Sequence, residues 1–118
     1  MAYRSEVALA LTKKAVHYFD KRMSRLKDNS AVLALFNSAD AHTVDKDTGA
    51  EMWHWNYTKW NPKAYDDCKI VESIIYDLPA DEFKFYRLGD YMDDHEDLGR
   101  FYDNPFNLGV RRYIDYNA

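Results

Sequence analysis

A chain of 118 residues with a formal net charge of −4 is long enough for one domain that buries roughly two thirds of its unfolded surface. Its 16 Lys and Arg against 20 Asp and Glu exclude nucleic-acid binding by bulk charge, and the balance is too mild for an acidic mimic of DNA. Ten Tyr, six Phe and three Trp with only four Gly and three Pro exclude wholesale disorder, and a single cysteine excludes an internal disulfide or a cysteine-rich metal centre.

At the start, Tyr3 to Leu11 alternates Val7, Leu9 and Leu11 against small residues, the pattern of a strand, and a central one. Ala8 and Ala10 leave room on its second face for a helix or an aromatic side chain. Arg4 and Glu6 interrupt what a signal peptide would need to be apolar. No apolar run approaches the about 18 residues of a transmembrane helix. An intracellular protein is therefore expected.

Thr12 is an N-cap type, and Val16, Phe19, Met23 and Leu26 keep helical spacing between Lys13 and Lys27. The other faces of that helix carry Lys13, Lys14, Lys21, Arg22 and Arg25, which read first as a solvated face and second as a site for an anionic partner. After Asp28-Asn29-Ser30, the run Ala31–Phe36 is too short for periodicity to separate helix from strand, and a short helix is the preferred reading.

Asp45-Lys46-Asp47-Thr48-Gly49 is a turn signal between two hairpin arms, Ala41–Val44 and Glu51–Trp60. Strand alternation puts Trp53, Trp55 and Tyr57 on one face and His54, Asn56 and Thr58 on the other. Three aromatics on a sheet face are more often core under a helix than a stacking platform. Asn61-Pro62 signals a second helix, since Asn caps and Pro suits the first helical position. Tyr65, Cys68, Val71, Ile75 and Leu78 continue it at helical spacing until Pro79 ends it. Asp66 and Asp67 lie in the first turns, where the helix dipole favours anions.

Glu82 to Leu88 alternates Phe83 and Phe85 against Lys84 and Tyr86 as another strand. At Gly89 this aromatic run gives way to Asp90-Tyr91-Met92-Asp93-Asp94-His95-Glu96-Asp97, the densest set of ionisable side chains in the chain. Phe101 to Gly109 is rich in turn residues, and Val110–Tyr116 reads as a final, edge strand. The expected architecture is a single α+β domain over residues 1–118, a mostly antiparallel sheet of four to five strands with two main helices on one face. The nearest standard topology is the ferredoxin-like split β-α-β arrangement.

Chemistry-bearing motifs are sparse. The acidic stretch has the density to hold a hard cation, but its spacing lacks the alternating donors and central glycine of a calcium loop. A solvated acidic loop, with Glu96 and Asp97 in a short surface helix, is the plain reading, and a protein-recognition surface comes next. His17, His42, His54 and His95 show no metal-ligand spacing, although His42 and His54 are placed to face each other across the hairpin. Cys68 sits inside an apolar helical pattern and reads as a core residue. No nucleophile elbow, phosphate loop or cofactor motif is present in the sequence. No catalytic, metal or cofactor residue is therefore assigned.

Three pieces of the chain carry a resemblance: Tyr3-Arg4-Ser5-Glu6-Val7, Trp55 through Lys59-Trp60, and Arg87-Leu88-Gly89-Asp90 leading into Asp93-Asp94 and Glu96. In order and spacing they resemble small accessory proteins encoded by tailed bacteriophages and prophages, a family with no established activity. The chain departs from that pattern with Asn61-Pro62 after Trp60, where another aromatic is expected, and with Tyr91-Met92 inside the acidic stretch. The resemblance implies a setting in the cytoplasm of a bacterial host and action by binding a host or viral protein, as in counter-defence or host takeover. The contact residues expected are Trp53, Trp55, Trp60, Tyr91, Asp93, Asp94 and Glu96, aromatic anchors beside an acidic rim. Two other readings stay open. One is a metal-dependent enzyme built on Asp90, Asp93, Asp94 and Glu96; the other is nucleic-acid binding through the basic helix and Arg111-Arg112. An edge strand in an aromatic-rich small domain also suits a homodimer.

Overall fold

Strand β1, Ser5–Leu11, is the axis of the structure, a computed structural model that describes residues 4–89, 94–110 and 114–116. It pairs antiparallel on one side with β3, Glu51–Thr58, and on the other with β4, Phe83–Leu88. Strand β2, Ala41–Val44, adds outside β3, and β5, His95–Gly99, adds outside β4. The sheet order is β2-β3-β1-β4-β5, all antiparallel. Three helices complete the α+β fold: α1, Lys13–Ser24; α2, Ser30–Asn37; and α3, Asp66–Tyr76. The succession β1-α1-β2-β3-α3-β4 is the β-α-β-β-α-β arrangement expected, with α2 inserted after α1 and β5 added at the edge.

The alternation in β1 works in both directions. Val7, Leu9 and Leu11 join Phe19 and Met23 of α1, Val32 and Leu35 of α2, and Val71, Ile74 and Ile75 of α3 in one buried cluster. Ala8 and Ala10 point the other way, into a second cluster with Met52, Tyr86, Phe106, Leu108 and Ile114. The room left by the two alanines is filled by the Phe106 ring, which is 2% exposed. No helix covers that second face among the described residues; the segment after β5 does.

That segment is not the edge strand expected over Val110–Tyr116. Gly109–Val110 (β6) and Ile114–Asp115 (β7) pair with each other in a separate two-stranded ribbon. Asn104, 5% exposed, organises the approach. Its Oδ1 accepts from the Phe106 and Leu108 amides at 3.2 and 2.9 Å, and its Nδ2 donates to the Phe101 carbonyl at 2.9 Å. A buried side-chain amide thus takes over hydrogen bonds that a helix would have made with its own backbone.

Three further local readings are corrected. The cap at Asn61 serves an isolated turn, with Asn61 Oδ1 accepting from the Lys63 amide at 3.0 Å; Tyr65 is then extended, and α3 begins at Asp66. The alternation in β3 breaks at a bulge, because Val7 pairs with Trp55 while Ser5 pairs with Thr58. Tyr57 therefore leaves the face of Trp53 and Trp55 and lies 69% exposed beneath the Arg4 guanidinium. The acidic stretch is neither loop nor helix from His95 onward but the edge strand β5. Gly99 closes it at φ +85°, where a Cβ would sit 2.1 Å from the Phe83 carbonyl oxygen.

Candidate functional site

Helix α1 begins where Thr12 Oγ1 accepts from the Ala15 amide at 3.2 Å, and this start sets which side chains face inward. Val16, Phe19 and Met23 follow at helical spacing, with Asp20 beside them at the surface. Helix α2 brings Leu33 and Phe36, one turn apart, against the same space. The end of β1 supplies Leu11 and the start of β3 supplies Glu51 and Trp53. Between them lies a pocket of about 190 Å³ whose charged lining residues, among the described residues, are Asp20 and Glu51.

The back wall is a chain of edge-to-face aromatics. Phe36 meets Phe19 at 5.3 Å, Trp53 at 5.1 Å and Trp55 at 5.6 Å between ring centroids. The Trp53 indole is also stacked by His42 of β2 at 4.7 Å and 10° between planes. His42 Nε2 donates to Glu51 Oε1 at 2.8 Å, so the edge strand fixes both the indole and the carboxylate. His42 does not face His54, which the register places opposite Ala41 on the other face. Leu33 stands at the mouth, 49% exposed. Asp20 makes no ion pair or hydrogen bond among the described residues.

The residues expected at a contact surface are divided by the structure. Trp53 lines the pocket. Trp55 and Trp60 are each 1% exposed, which removes them from any surface. Trp55 Nε1 donates to the Leu35 carbonyl at 2.9 Å and Trp60 Nε1 to Glu72 Oε2 at 2.9 Å, so each indole N–H is spent on core architecture. Tyr91 and Asp93, with Asp90, lie outside the described residues, as do Arg111 and Arg112. Asp94 and Glu96 both bind Arg87 of β4: Nη2 donates to Asp94 Oδ1 at 2.8 Å and Nε to Glu96 Oε1 at 2.8 Å. Asp97 takes the ammonium of Lys84, a side chain 1% exposed that also donates to the Gly99 carbonyl at 3.0 Å. The described part of the acidic stretch is thus neutralised by its neighbouring strand. Pairing of Lys84 and Arg87 with acids thirteen and nine residues later was open to reading once that stretch was taken as a strand.

Two more polar groups are buried. Glu72 of α3 has its pKa raised by burial, against the Trp60 hydrogen bond that favours its charged form. On the opposite face, His54 Nε2 lies 2.7 Å from Glu6 Oε2 and its Nδ1 lies 3.1 Å from the Tyr116 hydroxyl. With Nε2 donating to the carboxylate, Nδ1 accepts from the phenol. The order carboxylate, imidazole, hydroxyl is that of a nucleophilic relay, but burial raises the Tyr116 pKa, the wrong direction for an activated oxygen. The arrangement instead ties the C-terminal segment to the sheet. Cys68 is fully buried and its thiol is pushed up to about 12, which leaves it inert.

Among the described residues no group of three or more His, Cys, Asp or Glu side chains is arranged to hold a metal ion. No described helix is long and apolar enough to cross a membrane. Comparison with protein-family models, with curated proteins and with solved structures returns no match.

Proposed function

We propose that the chain acts by binding another protein, through the pocket between α1, α2 and β3, and not through chemistry at the acidic stretch. The observation that carries this reading is the pocket's size and lining. Drug-sized ligands and cofactors occupy roughly 300–1,000 Å³, whereas a cavity near 150 Å³ holds a benzene ring. A space of about 190 Å³ walled by Trp53, Phe36, Phe19 and Met23 suits one anchoring side chain of a partner. Two neighbouring features support a protein as that partner. Leu33 and Val44 are about half exposed, at 49% and 51%. Strand β2 is an edge of the sheet, paired only with β3. The bacteriophage setting implied by the resemblance makes a host or viral protein the expected partner.

Capture from bacterial lysate, with and without phage infection, tests the reading with two forms of the tagged chain. Wild type is expected to retain a stoichiometric protein that Leu33→Asp, folded by circular dichroism, releases. Equal capture by both forms would sink the pocket as the contact.

A further inference from the structure

Resting on the pocket reading above, one feature of the lining distinguishes among possible anchors. Both ionisable lining groups, Asp20 and Glu51, are carboxylates, and no cation faces them within the lining. Glu51 spends one oxygen on His42, while Asp20 is exposed and has no partner among the described residues. A purely apolar anchor would cover the free oxygen of Glu51 and crowd Asp20 without offering either a donor, at a desolvation cost. A side chain with an apolar stem and a cationic end satisfies both parts of the pocket. Arginine fits better than lysine, because its planar, weakly hydrated guanidinium packs against aromatic rings such as Trp53 and Phe36 while donating to carboxylates. Arginine is also among the residues enriched at interface hot spots.

We infer that the pocket is an arginine-anchor site, filled by one arginine side chain of a protein partner whose guanidinium lies between Asp20 and Glu51.

The full chain, labelled with ¹⁵N, is titrated with three uncharged-backbone probes: acetyl-arginine methylamide, its neutral isostere acetyl-citrulline methylamide, and acetyl-norleucine methylamide. The Trp53 indole N–H resonance, assigned with Trp53→Phe, is the readout. The arginine probe is expected to saturate that shift about three- to tenfold more tightly than citrulline or norleucine, as one or two exposed charge pairs allow. Asp20→Lys, a surface change, is expected to erase this advantage. Equal or tighter binding of norleucine or citrulline would overturn the arginine assignment and leave a generic apolar anchor pocket, so that the protein-binding reading survives. An arginine preference untouched by Asp20→Lys would overturn the role of the carboxylates. No saturable shift with any probe would overturn the site itself, and the Leu33→Asp capture then decides separately whether this face binds protein at all.

Discussion

The two faces of the sheet are closed by different means. On one, helices satisfy their own backbones and bury mainly apolar side chains, with Glu72 and Arg87 as buried charged groups among the described residues there. On the other, an irregular segment lies across Ala8, Ala10 and Met52, and its polar groups must find partners one by one. Asn104 and His54 are buried side chains that supply them, and Lys84 anchors the end of β5 from which the segment leaves. The lesson is that an irregular cover pairs its own backbone through specific side chains, as Asn104 does, where helices pair theirs internally, while buried polar side chains are pinned on both faces. The helical face also has space left over, since α1 and α2 meet above Trp53 without filling it.

If the tail-covered face is an integral half of the core, truncating its central ring should cost as much as truncating one on the helical face. Phe106→Ala and Trp55→Ala are each expected to lose about 3–5 kcal/mol in urea denaturation. A loss below about 1 kcal/mol for Phe106→Ala would mean that the tail is merely draped over the sheet. The polar-pin argument predicts a smaller but definite loss for Asn104→Ala, about 1–3 kcal/mol, because two amides and a carbonyl are left to other partners. An unchanged midpoint would contradict it.

Much of the helical face was legible because its signals are periodic. The Thr12 cap, the Val16-Phe19-Met23 stripe and the alternation of Val7, Leu9 and Leu11 each imply their own burial. The tail face was not legible: Phe106 and Asn104 have no period, and what they cover is set by strands nearly one hundred residues earlier. Strand β5 was missed because its acids look solvated in sequence, and only the pairing with Lys84 and Arg87 makes them strand residues. Of the candidate contact residues, Trp53 was distinguishable from Trp55 only through α2, whose Phe36 separates pocket from core. Asp20 and Glu51 stood in the sequence without any mark of their role, since the pocket is assembled from four elements.

Glu72 sharpens the contrast from the helical side. Its raised pKa means that the folded state holds the proton more tightly than the unfolded chain. The penalty is absent below the unfolded carboxylate range and develops as pH rises through the raised value. Glu72→Gln keeps an acceptor for Trp60 and cannot ionise, so it is expected to match or modestly exceed wild-type stability at pH 7. That difference should shrink on acidification, as read from denaturation midpoints along a pH series. A variant that is less stable at neutral pH would show that the ion itself is needed beside Arg87. The smallest effect on stability belongs to Leu33→Asp, within about 0.5 kcal/mol, because the side chain is half exposed, although this change is expected to abolish partner capture.

The functional contrast between the faces can be read in one experiment. A photo-crosslinking amino acid is placed at Leu33 beside the pocket in one form and at Tyr102, 68% exposed over the tail-covered face, in another. Irradiation in infected lysate is expected to join a single protein to the Leu33 form and none to the Tyr102 form. Crosslinking at Tyr102 with none at Leu33 would contradict the account and move the contact to the opposite side of the sheet.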